Sequence, residues 1–272
     1  STITNSSPRI ITIITILGDL YCLKKQYTRA ETYYDKSLRF IYELYGEGAA
    51  VLPAATVLYD QGVNYHHMNR YSEAHRCYTE ALAIHREMSQ GAASKEMAET
   101  LYNLGGFYYT MKQHRDAEQC FTEALALYTD ISQGAANEDM AKTLHIQGNN
   151  YNSMKQHKDA DQCYTASLAI YRELAEGANS VGVAKTLSAQ GGVYNVMKHE
   201  NTDQCYTASL ATCRELSEGA ASVDIANTLY DQGNNYNATK QYINADQCYT
   251  KALAIQRELS EGAASVGLAK TL

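Results

Sequence analysis

The sequence repeats itself with a period of 42 to 44 residues, and this period constrains the fold more than any other feature. One glycine marks the same point in each copy, and a tyrosine follows it after three residues. The six glycines are Gly18, Gly62, Gly105, Gly148, Gly191 and Gly233. An aromatic residue follows after sixteen residues, or after fifteen in the fifth copy, which lacks one residue. Six copies at a near-constant spacing predict an array of stacked units.

Each copy carries two helical stripes. In the third copy, Leu101, Leu104 and Tyr108 lie three or four residues apart, as on one face of a helix. Residues 112–114 interrupt this pattern, and a second stripe that includes Phe121 follows. Only 2 of the 272 residues are Pro, which leaves room for many uninterrupted helices. The sequence therefore predicts an all-α fold of six helix–turn–helix repeats plus the start of a seventh.

We expect these repeats to form a single domain over residues 1–272. The predicted repeats cover residues 11–53, 54–97, 98–140, 141–183, 184–225 and 226–268, with a partial repeat from 269. Glycines between the copies predict left-handed helix ends at Gly91, Gly134, Gly177, Gly219 and Gly262. Short polar residues then predict the N-caps of the following helices, at Ser94, Asn137, Ser180, Ser222 and Ser265.

The pattern resembles the tetratricopeptide repeat. In the third copy the resemblance is carried by Leu101, Leu104, Gly105, Tyr108, Ala117, Phe121 and Ala124. The long period and segments such as Val183-Ala184-Lys185-Thr186-Leu187 are similar to the repeats of kinesin light chains. The resemblance covers roughly residues 10–272 and implies a right-handed α-α superhelix. The chain departs from the family where Gln replaces the Leu before the glycine, at Gln61, Gln147, Gln190 and Gln232.

In this family the first helix of each repeat faces a concave groove. By that resemblance, ligand-binding positions lie three and two residues before each recurring glycine, and one and four residues after it. The candidate groove residues are Tyr59, Asp60, His66, Tyr102, Asn103, Tyr109, His145, Asn149, Asn152, Asn195, Tyr230, Asp231, Asn234 and Asn237. Asn side chains can pair with the N–H and C=O groups of an extended peptide, and Tyr offers a stiff contact surface with a polar tip.

Several other kinds of site are disfavoured. The net charge of −7, without clustered cations, argues against nucleic acid as a partner. Lys142 and Lys185 are the nearest equivalent of the carboxylate clamp used by some relatives, but the full cluster is absent. Five cysteines recur at the repeat period, and equivalent helices packed about 8–10 Å apart are too distant for disulfides between them. We therefore expect no metal, no cofactor and no catalytic residues.

The compartment follows from the cysteines and from the absence of a long apolar segment. Seven unpaired thiols favour a reducing, cytoplasmic location. No apolar run reaches the 18 residues of a membrane span. The short apolar segment 10–17 could be the core of a signal peptide, but it falls in register with the first repeat. The chain begins without Met and ends inside a seventh copy, so we expect a longer parent protein.

These observations predict a non-enzymatic scaffold for protein–protein interaction that holds an extended peptide or partner segment. Two alternatives remain open. The chain could recruit substrates for a catalytic or signalling domain that lies outside it. It could also be a structural spacer that associates end to end, because repeat arrays without capping helices can stack on one another.

Overall fold

A computed structural model describes residues 3–90, 92–174, 180–218 and 222–269 of the chain, with only the backbone at 3–7 and 262–269. Within these ranges the chain forms twelve α-helices and no strand. The helices are α1 (Ile3–Leu23), α2 (Tyr27–Tyr45), α3 (Leu52–His67), α4 (Tyr71–Ser89), α5 (Lys95–Thr110), α6 (His114–Ser132), α7 (Glu138–Ser153), α8 (His157–Leu174), α9 (Val181–Met197), α10 (Thr202–Leu216), α11 (Val223–Ala238) and α12 (Tyr242–Ala269). The predicted all-α fold of six helix–turn–helix repeats is confirmed.

The chain divides into two compact units, Ser1–Ala135 and Ala136–Leu272, which we call unit 1 and unit 2. Each unit contains three helix pairs, α1–α6 in unit 1 and α7–α12 in unit 2. Within a pair, the recurring glycine lies against the aromatic residue of the second helix. A Cβ atom added at Gly148 would lie 2.6 Å from a ring carbon of Tyr164, which is 1% exposed. The recurring glycine therefore lets the two helices approach closely.

The first helices of each unit form one layer. In unit 2, α9 contacts both α7 and α11, and in unit 1, α3 contacts both α1 and α5. No such contact joins α8 to α10 or α10 to α12 among the residues the structure describes. Instead, α8 packs on α9, and α10 packs on α11. Since the first helices lie closer together than the second helices, their layer forms the inner face of each unit.

The predicted N-caps are present at four positions. The side chains of Ser94, Ser180 and Ser222 accept hydrogen bonds of 3.1–3.2 Å from backbone N–H groups three residues later. Asn137 accepts one of 2.7 Å from the N–H of Asp139. Each cap satisfies a donor that the first helical turn would otherwise leave unpaired. Gly134 has the predicted left-handed backbone, with a φ of +81°.

The last predicted turn is wrong. Gly262 and Ser265 lie inside α12, which continues to Ala269. The segment 261–269 contains three alanines, which favour the helix over the predicted turn. The other predicted helix-ending glycines, Gly91, Gly177 and Gly219, lie outside the described residues.

The glutamine that departs from the family pattern links neighbouring repeats. In unit 2, Nε2 of the buried Gln190 donates to Oδ1 of Asp161 on α8 across 2.7 Å. Its Oε1 atom accepts from Sγ of Cys205 at 3.9 Å. Equivalent contacts join Gln61 to Asp35 and Cys77, and Gln232 to Asp203 and Cys248. Cys77, Cys205 and Cys248 are thus free thiols that pack beside an amide oxygen.

Candidate functional site

A groove of about 500 Å³ lies on the inner face of unit 2, where α7, α9 and α11 lie side by side. We call it the unit 2 groove. Six of the residues predicted from the sequence line it: His145, Asn149, Asn152, Asn195, Asp231 and Asn234. Two further candidates, Tyr230 and Asn237, are exposed side chains of α11 that do not line this groove.

A chain of hydrogen bonds orders the α7 side of the groove. The Tyr164 hydroxyl donates to Oδ1 of Asn149 at 2.8 Å, and Nδ2 of Asn149 lies 3.2 Å from Nε2 of His145. Nδ1 of His145 lies 3.0 Å from Oγ1 of Thr186, which donates its single proton to the carbonyl of Gly182 at 2.8 Å. His145 must therefore donate from Nδ1 and accept at Nε2, so the neutral imidazole ring carries its proton on Nδ1.

His145 is neutral at physiological pH. Burial, together with the positive charge of Lys185, lowers its pKa to about 4. A neutral ring fits the hydrogen bonds just described, because a protonated ring could not accept the proton of Asn149. His145 therefore contributes hydrogen bonds and no charge to the groove.

Lys185 supplies the positive charge of the groove. Its side chain is exposed on α9, lines the groove, and forms no ion pair with any described residue. Lys142, the second lysine singled out in the sequence, lies outside the groove and pairs with Glu138 at 3.0 Å and with Asp139 at 3.7 Å. The two lysines do not act together, so the groove lacks the paired cations of a carboxylate clamp.

Two carboxylates line the α11 side of the groove. Asp224 lies in the first turn of α11, and Asp231 lies two turns later. Burial raises the pKa of Asp231 above its usual range. The groove also contains the amides of Asn195 and Asn227, whose side chains have no hydrogen-bond partner in the described part of the chain. The surface thus presents donors and acceptors of both kinds with little net charge.

Sequence reasoning missed two hydroxyl groups in the groove. The rings of Tyr164 and Tyr206 are each 1% exposed and were expected only as packing residues of the second helices. Both residues nevertheless line the groove. The signal for this was the choice of Tyr where an apolar ring would pack equally well, as Phe121 does in the third repeat.

In unit 1, two of the predicted residues contact each other. Nδ2 of Asn103 donates to the hydroxyl of Tyr59 at 2.9 Å and to the backbone carbonyl of Glu99 at 3.0 Å, which uses both of its protons. Asp60 follows Tyr59 and is half-buried. Its desolvation, followed by the charges of Asp19 and Glu99, raises its pKa to about 8.

The aromatic candidates of unit 1 form ring contacts. The centroid of His66 lies 6.0 Å from that of Phe107, that of Tyr102 lies 6.3 Å from that of Phe121, and that of Tyr109 lies 6.1 Å from that of His114. The side chains of unit 1 are therefore engaged with their neighbours, whereas unit 2 holds the open groove with unpaired polar groups.

Two further observations concern metal binding and membrane crossing. Among the side chains the structure describes, no three His, Cys, Asp or Glu residues converge as a metal site would require. In the described ranges, no helix combines the length and the apolar character needed to cross a membrane.

Comparison with known protein families identifies the repeat. One model of the tetratricopeptide repeat matches residues 9–87 and 96–173, and a second model of the same repeat matches residues 226–259. Together these matches cover more than half of the chain. Comparison with curated protein sequences gives no match.

Solved structures with the same fold are similar to the chain at low sequence identity. BtubC (BKLC) from P. vanneervenii is 16% identical with a TM-score of 0.71, over 86% of this chain and 92% of that protein. A putative kinesin light chain with nearly identical TPR-like repeats, from Podosopora anserina, is 12% identical with a TM-score of 0.64, over 76% of this chain and 96% of that protein. A Rap protein complexed with Competence and Sporulation Factor is 15% identical with a TM-score of 0.57, over 92% of this chain and 76% of that protein.

Proposed function

Because this chain belongs to the tetratricopeptide repeat family, we propose that it is a protein-interaction scaffold whose unit 2 groove binds an extended segment of a partner protein. The observation that carries the proposal is the set of polar side chains that lie in this groove without a partner. Lys185, Asn195, Tyr206 and Asn227 all line it, and none of these side chains forms a hydrogen bond or ion pair with a described residue.

The dimensions of the groove suit an extended peptide. Three first helices at about 9 Å spacing span about 18 Å, which an extended chain covers with about five or six residues at 3.3–3.6 Å each. Successive side chains of an extended strand alternate between two sides, so its backbone groups remain available to groove side chains. Asn195 and Asn227 each offer a donor and an acceptor, which matches the alternating C=O and N–H groups of a peptide.

A protein of the same fold supports a binding role. The Rap protein is known in a complex with Competence and Sporulation Factor. We extend to this chain the general role of an array that holds a second molecule, and we assign the partner by chemistry alone. The groove carries one lysine and two aspartates, so the partner segment is mostly uncharged and polar where it contacts unit 2.

The proposal is tested by selecting a displayed library of random 12-residue peptides on the full chain. A matched selection uses Asn195→Ala/Asn234→Ala, which removes two amides from the groove. The control is Gln162→Ala/Gln247→Ala, which removes two exposed amides from equivalent positions of the second helices α8 and α12.

We expect peptides that enrich on the natural chain and on the control and that fail to enrich on the groove variant. Peptides that enrich equally on all three proteins would place the binding surface elsewhere. If the natural chain enriches no peptide, the proposal is contradicted. The chain would then be a recruiting region of a larger enzyme or a spacer, and sedimentation at increasing concentration would reveal the self-association that a spacer requires.

A further inference from the structure

The hydroxyl of the recurring tyrosine has a regular partner in this chain. In three repeats it donates to the side chain directly after the recurring glycine, at 2.8–2.9 Å. The pairs are Tyr34 with Asp19, Tyr164 with Asn149, and Tyr249 with Asn234. The third repeat has Gly106 at this position and Phe121 as its aromatic residue, so it has neither the acceptor nor the hydroxyl.

The fifth repeat breaks this relationship. It keeps the hydroxyl of Tyr206 but has Gly192 where Asn149 and Asn234 lie in the repeats on either side. A Cβ atom added at Gly192 would meet only this hydroxyl, at 3.8 Å. The second repeat also lacks an acceptor, but Val63 gives that position a side chain. Among the six repeats in the described part of the chain, only the fifth combines the tyrosine hydroxyl with an empty space beside it.

The hydroxyl of Tyr206 faces the unit 2 groove without a partner. Its ring is 1% exposed, yet the residue lines the groove and makes no hydrogen bond to any residue in the described ranges. A polar atom at the end of a buried side chain is normally paired, so this hydroxyl requires water or a ligand. The missing side chain of Gly192 opens the path to it.

The surroundings of Tyr206 select the chemistry of that ligand. Asp231 on α11 lines the same groove, and its negative charge acts on the Tyr206 hydroxyl. A carboxylate that accepted from Tyr206 would be repelled by Asp231, because like charges in a partly buried site are unfavourable. A neutral amide fits both groups, since its carbonyl accepts from Tyr206 and its N–H donates to Asp231.

We propose that Gly192, Tyr206 and Asp231 form a subsite for an amide group of the bound segment, either a backbone peptide group or the side chain of Asn or Gln. This proposal rests on the proposed function and specifies what the groove recognises. Asn195, one turn after Gly192 on the same face of α9, supplies a further donor and acceptor at the edge of the subsite.

The test uses the chain's own repeats as templates. Gly192→Asn recreates the arrangement of Asn149 and Asn234, so its amide accepts from Tyr206 and fills the space. Tyr206→Phe removes only the hydroxyl. Gly106→Asn is the matched control, because an added Cβ atom there meets nothing within 4 Å and the third repeat has no hydroxyl to pair.

The probes are synthetic 12-residue peptides selected on the natural chain, and calorimetric titration measures their affinity. We expect Gly192→Asn to weaken binding at least tenfold while its melting temperature stays equal or rises. Tyr206→Phe should weaken binding several-fold, and Gly106→Asn should bind normally. Versions of the peptide with each Asn or Gln changed to Asp or Glu, or with each backbone N–H methylated, identify the amide. Each modified peptide is titrated against the natural chain and against Gly192→Asn. The amide that occupies the subsite is the one whose change weakens binding to the natural chain but causes no further loss of affinity in Gly192→Asn.

Three results separate the possible failures. If Gly192→Asn and Tyr206→Phe bind as tightly as the natural chain while Asn195→Ala/Asn234→Ala does not, the subsite is wrong and the proposed function stands. If only Gly192→Asn weakens binding, the space beside Tyr206 is needed for binding, and the proposed role of the Tyr206 hydroxyl is wrong. If the natural chain selects no peptide, both proposals fail.

Discussion

Nδ2 of Asn149 donates to Nε2 of His145 across 3.2 Å, and this contact fixes which nitrogen of the imidazole carries the proton. The two residues lie one turn apart on α7. Through Thr186, the same ring is bonded to α9, so the contact joins two of the three helices that form the unit 2 groove. The shape of the groove thus depends on a half-buried, neutral histidine.

The first prediction concerns the pH dependence of stability. His145 has a folded pKa of about 4, below its ordinary value of 6.5, so between these values the unfolded chain binds more protons than the folded chain. Stability therefore falls as the pH decreases through this window, by about 1–2 kcal/mol between pH 7 and pH 5 from this group. Urea unfolding at pH 7 and at pH 5 should show a smaller loss of stability between the two pH values for His145→Gln than for the natural chain. An equal loss in both proteins would show that the histidine is not the source.

The second prediction concerns the glycine–tyrosine contact within a repeat. Gly148→Leu should unfold or loosen unit 2, because even a Cβ atom at this position would lie 2.6 Å from the Tyr164 ring. We expect a loss of at least about 3 kcal/mol, the upper range for overpacking. Gly106→Ala is the control, since it adds a Cβ atom in open space and should stabilise its helix by about 0.5–1 kcal/mol. Thermal melting followed by circular dichroism measures both, and similar melting temperatures for the two variants would contradict the packing argument.

The third prediction separates binding from stability at Asn152. Its Oδ1 atom lies 3.1 Å from Nδ1 of His157, the first residue of α8, and its side chain is half-buried. Asn152→Ala should change stability by no more than about 0.5 kcal/mol, as for most surface positions, and should weaken the capture of selected peptides. Urea unfolding and titration of the same protein sample provide the two readings. A variant that melts early would place Asn152 among the structural residues.

The fourth prediction concerns the buried glutamine. Gln190→Leu restores the family's usual residue but removes the donor to Asp161 and the acceptor of the Cys205 thiol. We expect a loss of about 1–2 kcal/mol, the typical cost of leaving hydrogen-bonding groups without a partner. Gln204→Ala, at an exposed position of α10, should stay within about 0.5 kcal/mol. If Gln190→Leu is as stable as the natural chain, the glutamine link does not hold neighbouring repeats together.

The sequence predicted the fold because the same physical requirement recurs six times. Each helix exposes an apolar stripe that only a neighbouring helix can cover, and the spacing of Gly148 and Tyr164 reports the close contact between the two helices of a pair. The prediction at Gly262 failed because it rested on a single glycine, and the helix continues through this residue.

The details of the site were less accessible from the sequence. Periodicity placed Asn195 and Asp231 on the inner face, but it could not show that the Tyr206 hydroxyl reaches the groove, because the ring itself is buried. The polar link from Gln190 to Asp161 was equally hidden, since it joins residues 29 positions apart on different helices. Both features depend on three-dimensional neighbours that a one-dimensional period does not identify.

The most direct test of a binding groove on unit 2 is photo-cross-linking with a selected peptide that carries a benzophenone group near its centre. Mass spectrometry of the digested product then identifies the attachment points on the full chain. We predict attachment to residues of α7, α9 and α11, close to Ser188 and Asn195 on the inner face of unit 2. Attachment confined to the second helices α8, α10 and α12, or to unit 1, would contradict the account.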